Sequence, residues 1–157
     1  MKSVLCLLCF SCFLWLPVPA PSQEKAAPPL FERLGDFGRK ITTSSPDAQR
    51  YFNQGLCWLY AFNHDEAIRS FHHATTLDPA AAMPWWGIAV ASGPHINSPV
   101  VSPEKAKTAW IALTKAKERA AGSTAVEQAL IAALGSRYAD PQPEDRKPLD
   151  EAYAAAM

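Results

Sequence analysis

Four histidines are the side chains of this chain best suited to holding a metal ion: His64, His72, His73 and His95. Neutral imidazole is the commonest metal ligand among protein side chains. His64 and His72 would lie about 12 Å apart along one helix, and adjacent residues such as His72 and His73 point about 100° apart around a helix axis. No pair has the four-residue spacing that lets two histidines share an ion. The sequence therefore predicts no metal site and no cofactor.

Three cysteines have a spacing that could support redox or metal chemistry. Cys6, Cys9 and Cys12 form two overlapping C-x-x-C motifs, which in a cytosolic protein are typical of such sites. They lie, however, in a segment with the organisation of a secretory signal peptide. Lys2 precedes an apolar run, and small residues follow it as far as Ser22.

The segment predicts how the chain is processed and where it is found. Its apolar run is shorter than the roughly 20 residues that a transmembrane helix requires. We therefore expect a signal peptide at residues 1–22, export to a periplasm or the extracellular space, and no stable membrane span. Of the cysteines only Cys57 then remains, and beside Trp58 it is expected to be a small buried apolar side chain rather than a nucleophile.

No other pattern in the sequence indicates catalysis or nucleic-acid binding. It contains no nucleophile elbow, phosphate loop or dinucleotide fingerprint. Asp65 and Glu66 are expected in the first turn of a helix, where the positive end of the helix dipole stabilises carboxylates. Lys plus Arg and Asp plus Glu number 15 each, so the chain has no net positive charge to attract phosphates. These features predict a protein that is not an enzyme and does not bind nucleic acid.

Helical patterns begin at Ser45, after an irregular arm at residues 23–44 that contains two prolines and two glycines. No strand pattern is evident, so the fold class expected is all-α. The predicted helices are marked by proline near the first turn, by hydroxyl caps and by a capping box. They begin at Ser45-Pro46-Asp47, about His64, about Met83, Ser102-Pro103-Glu104, Thr124-Ala125-Val126-Glu127 and about Leu149.

One set of apolar and small residues recurs at the spacing of a helical repeat. The first copy of the pattern comprises Tyr51, Gly55, Trp58, Ala67, Phe71, Ala74 and Pro79. A second copy begins at Trp85, 34 residues after Tyr51, and continues with Ile88 and Ala89 at matching offsets. This pattern resembles the tetratricopeptide repeat, in which a small residue allows close helix contact and an aromatic ring fills the gap between adjacent hairpins.

The resemblance implies antiparallel helix hairpins stacked into a right-handed superhelix, an α–α solenoid, over residues 45–157. The chain is similar to a group of exported bacterial tetratricopeptide proteins of unassigned activity, and it is expected to be truncated at its C-terminus. For such a protein the resemblance implies a scaffold and no reaction. It also implies that the first helix of each hairpin lines an inner, concave surface of the superhelix.

The inner surface is the binding site that the resemblance predicts. On the repeat register it comprises Phe52, Leu56, Leu59, Tyr60, Trp86 and Val90. These apolar residues favour a protein or peptide segment as the partner, with self-association also possible. Two alternatives remain open. The surface is covered by further repeats of a longer chain, or this chain is the N-terminal part of an exported enzyme or metal-binding protein whose active region lies elsewhere.

Overall fold

A computed structural model describes residues 27–157, and in that range the protein is helical, which confirms the all-α prediction. The predicted signal peptide, residues 1–22, lies outside the described residues. A single 3-10 turn, Ala120–Gly122, follows the fourth helix. The helices are α1 (Pro46–Tyr60), α2 (His64–Leu77), α3 (Ala82–Ser92), α4 (Pro103–Arg119), α5 (Ala125–Gly135) and α6 (Lys147–Ala156).

The helix starts are fixed by side-chain caps that the sequence predicted. Ser45 accepts a hydrogen bond from the Ala48 amide over 3.1 Å at the start of α1. Thr124 and Glu127 form a reciprocal capping box at the start of α5. Each cap satisfies an amide that has no partner within its helix, so the positions of these turns are set locally.

Helices that are consecutive in the chain pack against each other. The main contacts join α1 to α2, α2 to α3, and α3 to α4, while α5 contacts α3 and α4 and α6 contacts α5. Only residues 61–63 separate α1 from α2, and connections this short join antiparallel neighbours. No helix among residues 27–157 is both long enough and apolar enough to cross a membrane.

The ring of Phe71 on α2 fills the space between α1 and α3. A Cβ atom added to Gly55 would lie 2.5 Å from this ring, and one added to Gly87 would lie 2.8 Å from it. Phe71 is fully buried and also packs on Phe52, with 5.5 Å between ring centroids. The resemblance implies a small residue at the close contact between two helices and an aromatic ring in the gap between hairpins. In the structure, Gly55 and Gly87 make room for one shared aromatic ring, that of Phe71.

Residues 27–45 form no helix or strand and lie along α1. The Gln54 side chain accepts a hydrogen bond from the Phe31 amide over 2.8 Å and donates one to the Pro29 carbonyl over 3.0 Å. The Tyr51 hydroxyl donates to the Pro28 carbonyl. Gln54 stands where the repeat pattern usually has leucine, and its amide group is one of the groups that hold the arm. The arm therefore covers one face of α1.

Two buried carboxylates fix the end of the arm to other parts of the fold. Glu127, at the start of α5, accepts hydrogen bonds from the Thr42 amide and hydroxyl over 2.7 and 2.6 Å. Asp78, at the end of α2, accepts from the Thr43 hydroxyl and the Ser44 amide over 2.6 and 2.9 Å. Only 1% of Glu127 and 7% of Asp78 is exposed. The arm thus links α1 to the far end of α2 and to α5.

Candidate functional site

The residues predicted to line an inner binding surface fall into two groups in the structure. Phe52 and Leu56 are 0% and 4% exposed and belong to the hydrophobic core. Both are therefore core residues here, and neither presents a surface to a partner. Leu59, Trp86 and Val90 are half-buried and pack against the same core. Tyr60 differs from all of these because it is 65% exposed.

The residues of the repeat pattern lie mainly in the interior. Trp58 and Trp85 are half-buried and pack against the core, and Pro79 is exposed at the turn before α3. The Lys115 ammonium lies 4.2 Å from the centroid of the Trp85 ring, a cation–π arrangement. The buried members are Tyr51, Gly55, Ala67, Phe71 and Ala74.

Exposed large apolar side chains gather at the end of the fold where α1 ends and α2 begins. We call this set the hairpin-end cluster, and its members are Phe37, Tyr60, Phe62 and Ile96. Phe37 meets Tyr60 edge to face, with 5.2 Å between ring centroids. Phe62 lies 6.3 Å from the ring of His95, which immediately precedes Ile96. The exposed fractions of the four side chains are 55%, 65%, 53% and 84% in that order.

The backbone at Phe62 contributes to this exposure. Its φ angle is 60°, the left-handed conformation that residues with a side chain seldom adopt. The amide of Phe62 donates to the Leu59 carbonyl, and the amide of Asn63 donates to the Trp58 carbonyl. The turn therefore caps the end of α1 while it leaves the Phe62 ring outside the core.

Two histidines meet beneath this cluster. The rings of His64, at the start of α2, and His95, in the loop between α3 and α4, are stacked with 4.1 Å between centroids and 19° between planes. Sequence reasoning missed the pair, because it considered only histidines close together on one helix. In-plane nitrogen lone pairs on two nearly parallel rings do not converge on one ion. Among residues 27–157, no group of three or more His, Cys, Asp or Glu side chains is placed to hold a metal ion.

The surroundings of His64 disfavour its protonated form. Burial lowers the pKa of His64 below its ordinary value, and the neighbouring His95 and Lys105 lower it further. Asp65 acts in the opposite direction, as does the hydrogen bond with the backbone of Phe62. The net direction is downward, so these surroundings favour the neutral imidazole of His64.

The thiol of Cys57 is half-buried, and its Sγ atom lies 3.4 Å from the Phe37 carbonyl oxygen, to which it donates. Burial raises the pKa of Cys57 above its ordinary value. A thiol whose pKa is raised is a poor nucleophile, because the thiolate is the reactive form. The thiol thus serves as a contact between the arm and α1.

A cavity of about 970 Å³ lies between the start of α4 and the loop that joins α5 to α6. Val100 and Pro103 line one side of the cavity, and Gln142 and Arg146 line the other. Both amide atoms of Gln142 and two guanidinium nitrogens of Arg146 are buried without a hydrogen-bond partner. Acidic and basic side chains are mixed around the opening, and such a mixture selects neither an anion nor a cation.

No protein-family model, no curated protein and no solved structure matches this chain at a significant level. The resemblance to tetratricopeptide repeats therefore rests on the residues and spacings of the sequence itself.

Proposed function

We propose that this protein is a non-enzymatic scaffold of the tetratricopeptide type that binds a protein segment through the hairpin-end cluster. The observation that carries the proposal is the group of four large apolar side chains, each more than half exposed, at one end of the helices. Large apolar side chains exposed near one another often mark an interaction site, whereas ones scattered singly do not. Tyr60 is the residue common to this cluster and to the predicted inner surface.

The packing around Phe71 supports the repeat component of the proposal. In stacked hairpins, the second helix of one unit contacts both its own first helix and the first helix of the next unit. Phe71 on α2 does this, since its ring lies against Gly55 of α1 and Gly87 of α3. The 34-residue spacing from Tyr51 to Trp85 agrees with it. On this basis α1 and α2 form one unit and α3 and α4 the next.

The chemistry of the cluster favours a partner with large apolar or aromatic side chains. Tyr60 and Phe62 offer broad rings that lose little conformational entropy when they are covered, and buried aromatic residues supply much of the binding energy of protein interfaces. Leu59, which precedes Tyr60 in α1, is partly accessible and would contribute at the edge of such a contact. Phe52 and Leu56 support the surface from the core.

Selection from a displayed library of random short peptides tests the proposal. We expect the purified protein to enrich peptides that carry Leu, Phe or Trp. A selected peptide should bind the Tyr60→Ser and Phe62→Ser variants at least about tenfold more weakly, because each substitution removes an aromatic anchor. Isothermal titration calorimetry measures the change in Kd directly.

Val126→Ser is the matched control, since Val126 is 57% exposed on α5 and lies outside the cluster. This variant should bind the selected peptide with unchanged affinity. Peptides that bind the Tyr60→Ser and Phe62→Ser variants as tightly as the wild-type protein would refute the assignment of the cluster. Failure to enrich any apolar peptide would refute the scaffold proposal itself.

A further inference from the structure

The loop between α3 and α4, residues 93–102, touches the start of α2 through its turn. Within the turn, His95 and Ser98 exchange two backbone hydrogen bonds of 3.1 and 2.9 Å. Separately, the Arg137 guanidinium donates to the Pro94 carbonyl over 2.9 Å and so fixes the base of the loop to the segment that follows α5. The His95 ring stacks on His64 of α2. The turn thus depends on the stacked histidines for its position, while the base of the loop does not.

The stack is compatible with neutral imidazoles and poorly compatible with two protonated ones. Two positive charges about 4 Å apart repel each other strongly when they are partly shielded from water. His64 is the first residue of α2, so it also faces the positive end of that helix. Lys105 from α4 adds a third unfavourable charge, and Asp65 on α2 is the one acid that offsets them.

We propose that the His64–His95 stack is a pH-sensitive latch that holds the turn of the α3–α4 loop against α2 at neutral pH and releases it when both imidazoles are protonated. Ile96, a member of the hairpin-end cluster, moves with the turn, while Tyr60 and Phe62 stay with α1. Acidification thus takes the cluster apart. This consequence for binding rests on the proposed function, whereas the latch itself does not.

Nuclear magnetic resonance tests the latch without any partner. We expect nuclear Overhauser effects between the His64 and His95 rings at about pH 7.5 and their loss at about pH 5. Because the pKa of His64 is lowered from the ordinary value of about 6.5, the ring chemical shifts of both histidines are followed to establish that they are protonated at the acidic pH. The ring protons of Phe62 should shift over the same pH range, because the imidazole beside them moves away. The contact of Pro94 with Arg137 should persist throughout.

The His95→Phe variant keeps an aromatic ring in the stack but removes one of its two protonation sites. Its ring should therefore stay in contact with His64 at both pH values. His72→Phe, on the exposed face of α2, is the matched control and should behave as the wild-type protein does. Persistence of the wild-type ring contact at pH 5 with both imidazoles protonated would overturn the latch. So would equal loss of the contact in the His95→Phe variant.

The peptide selected at neutral pH provides a second measurement. Its affinity for the wild-type protein should fall at least about tenfold from pH 7.5 to pH 5. A tenfold change in Kd is the same free-energy change as a shift of about one unit in the pKa of a group whose protonation is linked to binding. The His95→Phe variant should retain its affinity across this range. Absence of peptide binding at pH 7.5 would refute the proposed function, and the ring contacts would still decide whether the latch exists.

Discussion

Substitution of Gly87 by alanine should destabilise the protein, although alanine is the better helix former. In an exposed helix the change would gain about 1 kcal/mol of helix propensity. Here the new methyl group would lie 2.8 Å from the Phe71 ring, well inside van der Waals contact. The ring has no free space on the other side, because it lies against Gly55 at a similarly short distance. The steric cost therefore has to be met by movement of helices.

Overpacking of a filled core costs about 1–3 kcal/mol. Three atoms of the Phe71 ring would lie 2.8 Å from the new methyl group, so the cost here should be in the upper part of that range, about 2–3 kcal/mol. With the gain of about 1 kcal/mol in propensity subtracted, we expect a net loss of about 1–2 kcal/mol in the free energy of unfolding. Urea titration followed by circular dichroism at the helical band measures it. Gly122→Ala is the control, since no heavy atom lies within 4 Å of its added Cβ atom. That variant should be as stable as the wild-type protein or slightly more stable.

A double-mutant cycle identifies the ring as the cause. Phe71→Leu removes ring volume and should cost about 1 kcal/mol or more in the wild-type background. In the Gly87→Ala background it should cost clearly less, because the smaller side chain relieves the clash. An additive cycle, or a Gly87→Ala variant as stable as the wild type, would refute the assignment of Phe71 to the space between α1 and α3.

Three further predictions concern the buried polar contacts. Glu127→Gln should lower the free energy of unfolding by about 2 kcal/mol, because the new amide group cannot accept every hydrogen bond that the carboxylate accepts from Thr42 and Thr124. Urea titration measures the change, and substitution of the exposed Glu118 by glutamine serves as the control. Hydrogen bonds outweigh burial and hold the pKa of Glu127 below its ordinary value, and hydrogen bonding from Thr43 does the same for Asp78. The stabilisation that these two carboxylates provide is therefore present above about pH 4.5 and lost as the pH falls. The urea concentration at the unfolding midpoint should decrease as the pH is lowered from about 5 to about 3. This decrease should be smaller in the Glu127→Gln variant. Tyr138→Phe should cost about 1 kcal/mol, since the buried hydroxyl donates to the Ala89 carbonyl over 2.7 Å, and unchanged thermal unfolding would contradict this.

The elements of the fold could be predicted because they depend on local chemistry. Ser45, Ser102 and Thr124 each cap a helix through an amide three residues away. Such a contact is visible in the sequence as a spacing. The capping box at the start of α5 was predicted in this way and is present in the structure.

The contacts that shape the candidate site join residues far apart in the chain, and local patterns do not reveal them. His64 and His95 belong to different hairpins, so no spacing rule pairs them. Glu127 was recognised as part of a capping box, but its hydrogen bonds to Thr42 depend on where the arm lies. The burial of Phe52 likewise depends on what covers α1, which the repeat register alone does not specify.

The attachment of Thr42 to Glu127 has a consequence for how the protein folds. In a linear stack of hairpins, each unit contacts only its neighbours, and either end can unravel alone. Here 85 residues separate the two partners, so the bond forms only after the intervening helices have assembled and closed that long loop. The arm should therefore dock late in folding and detach early in unfolding. While the arm remains docked on both α1 and α5, these two helices should open together rather than one at a time.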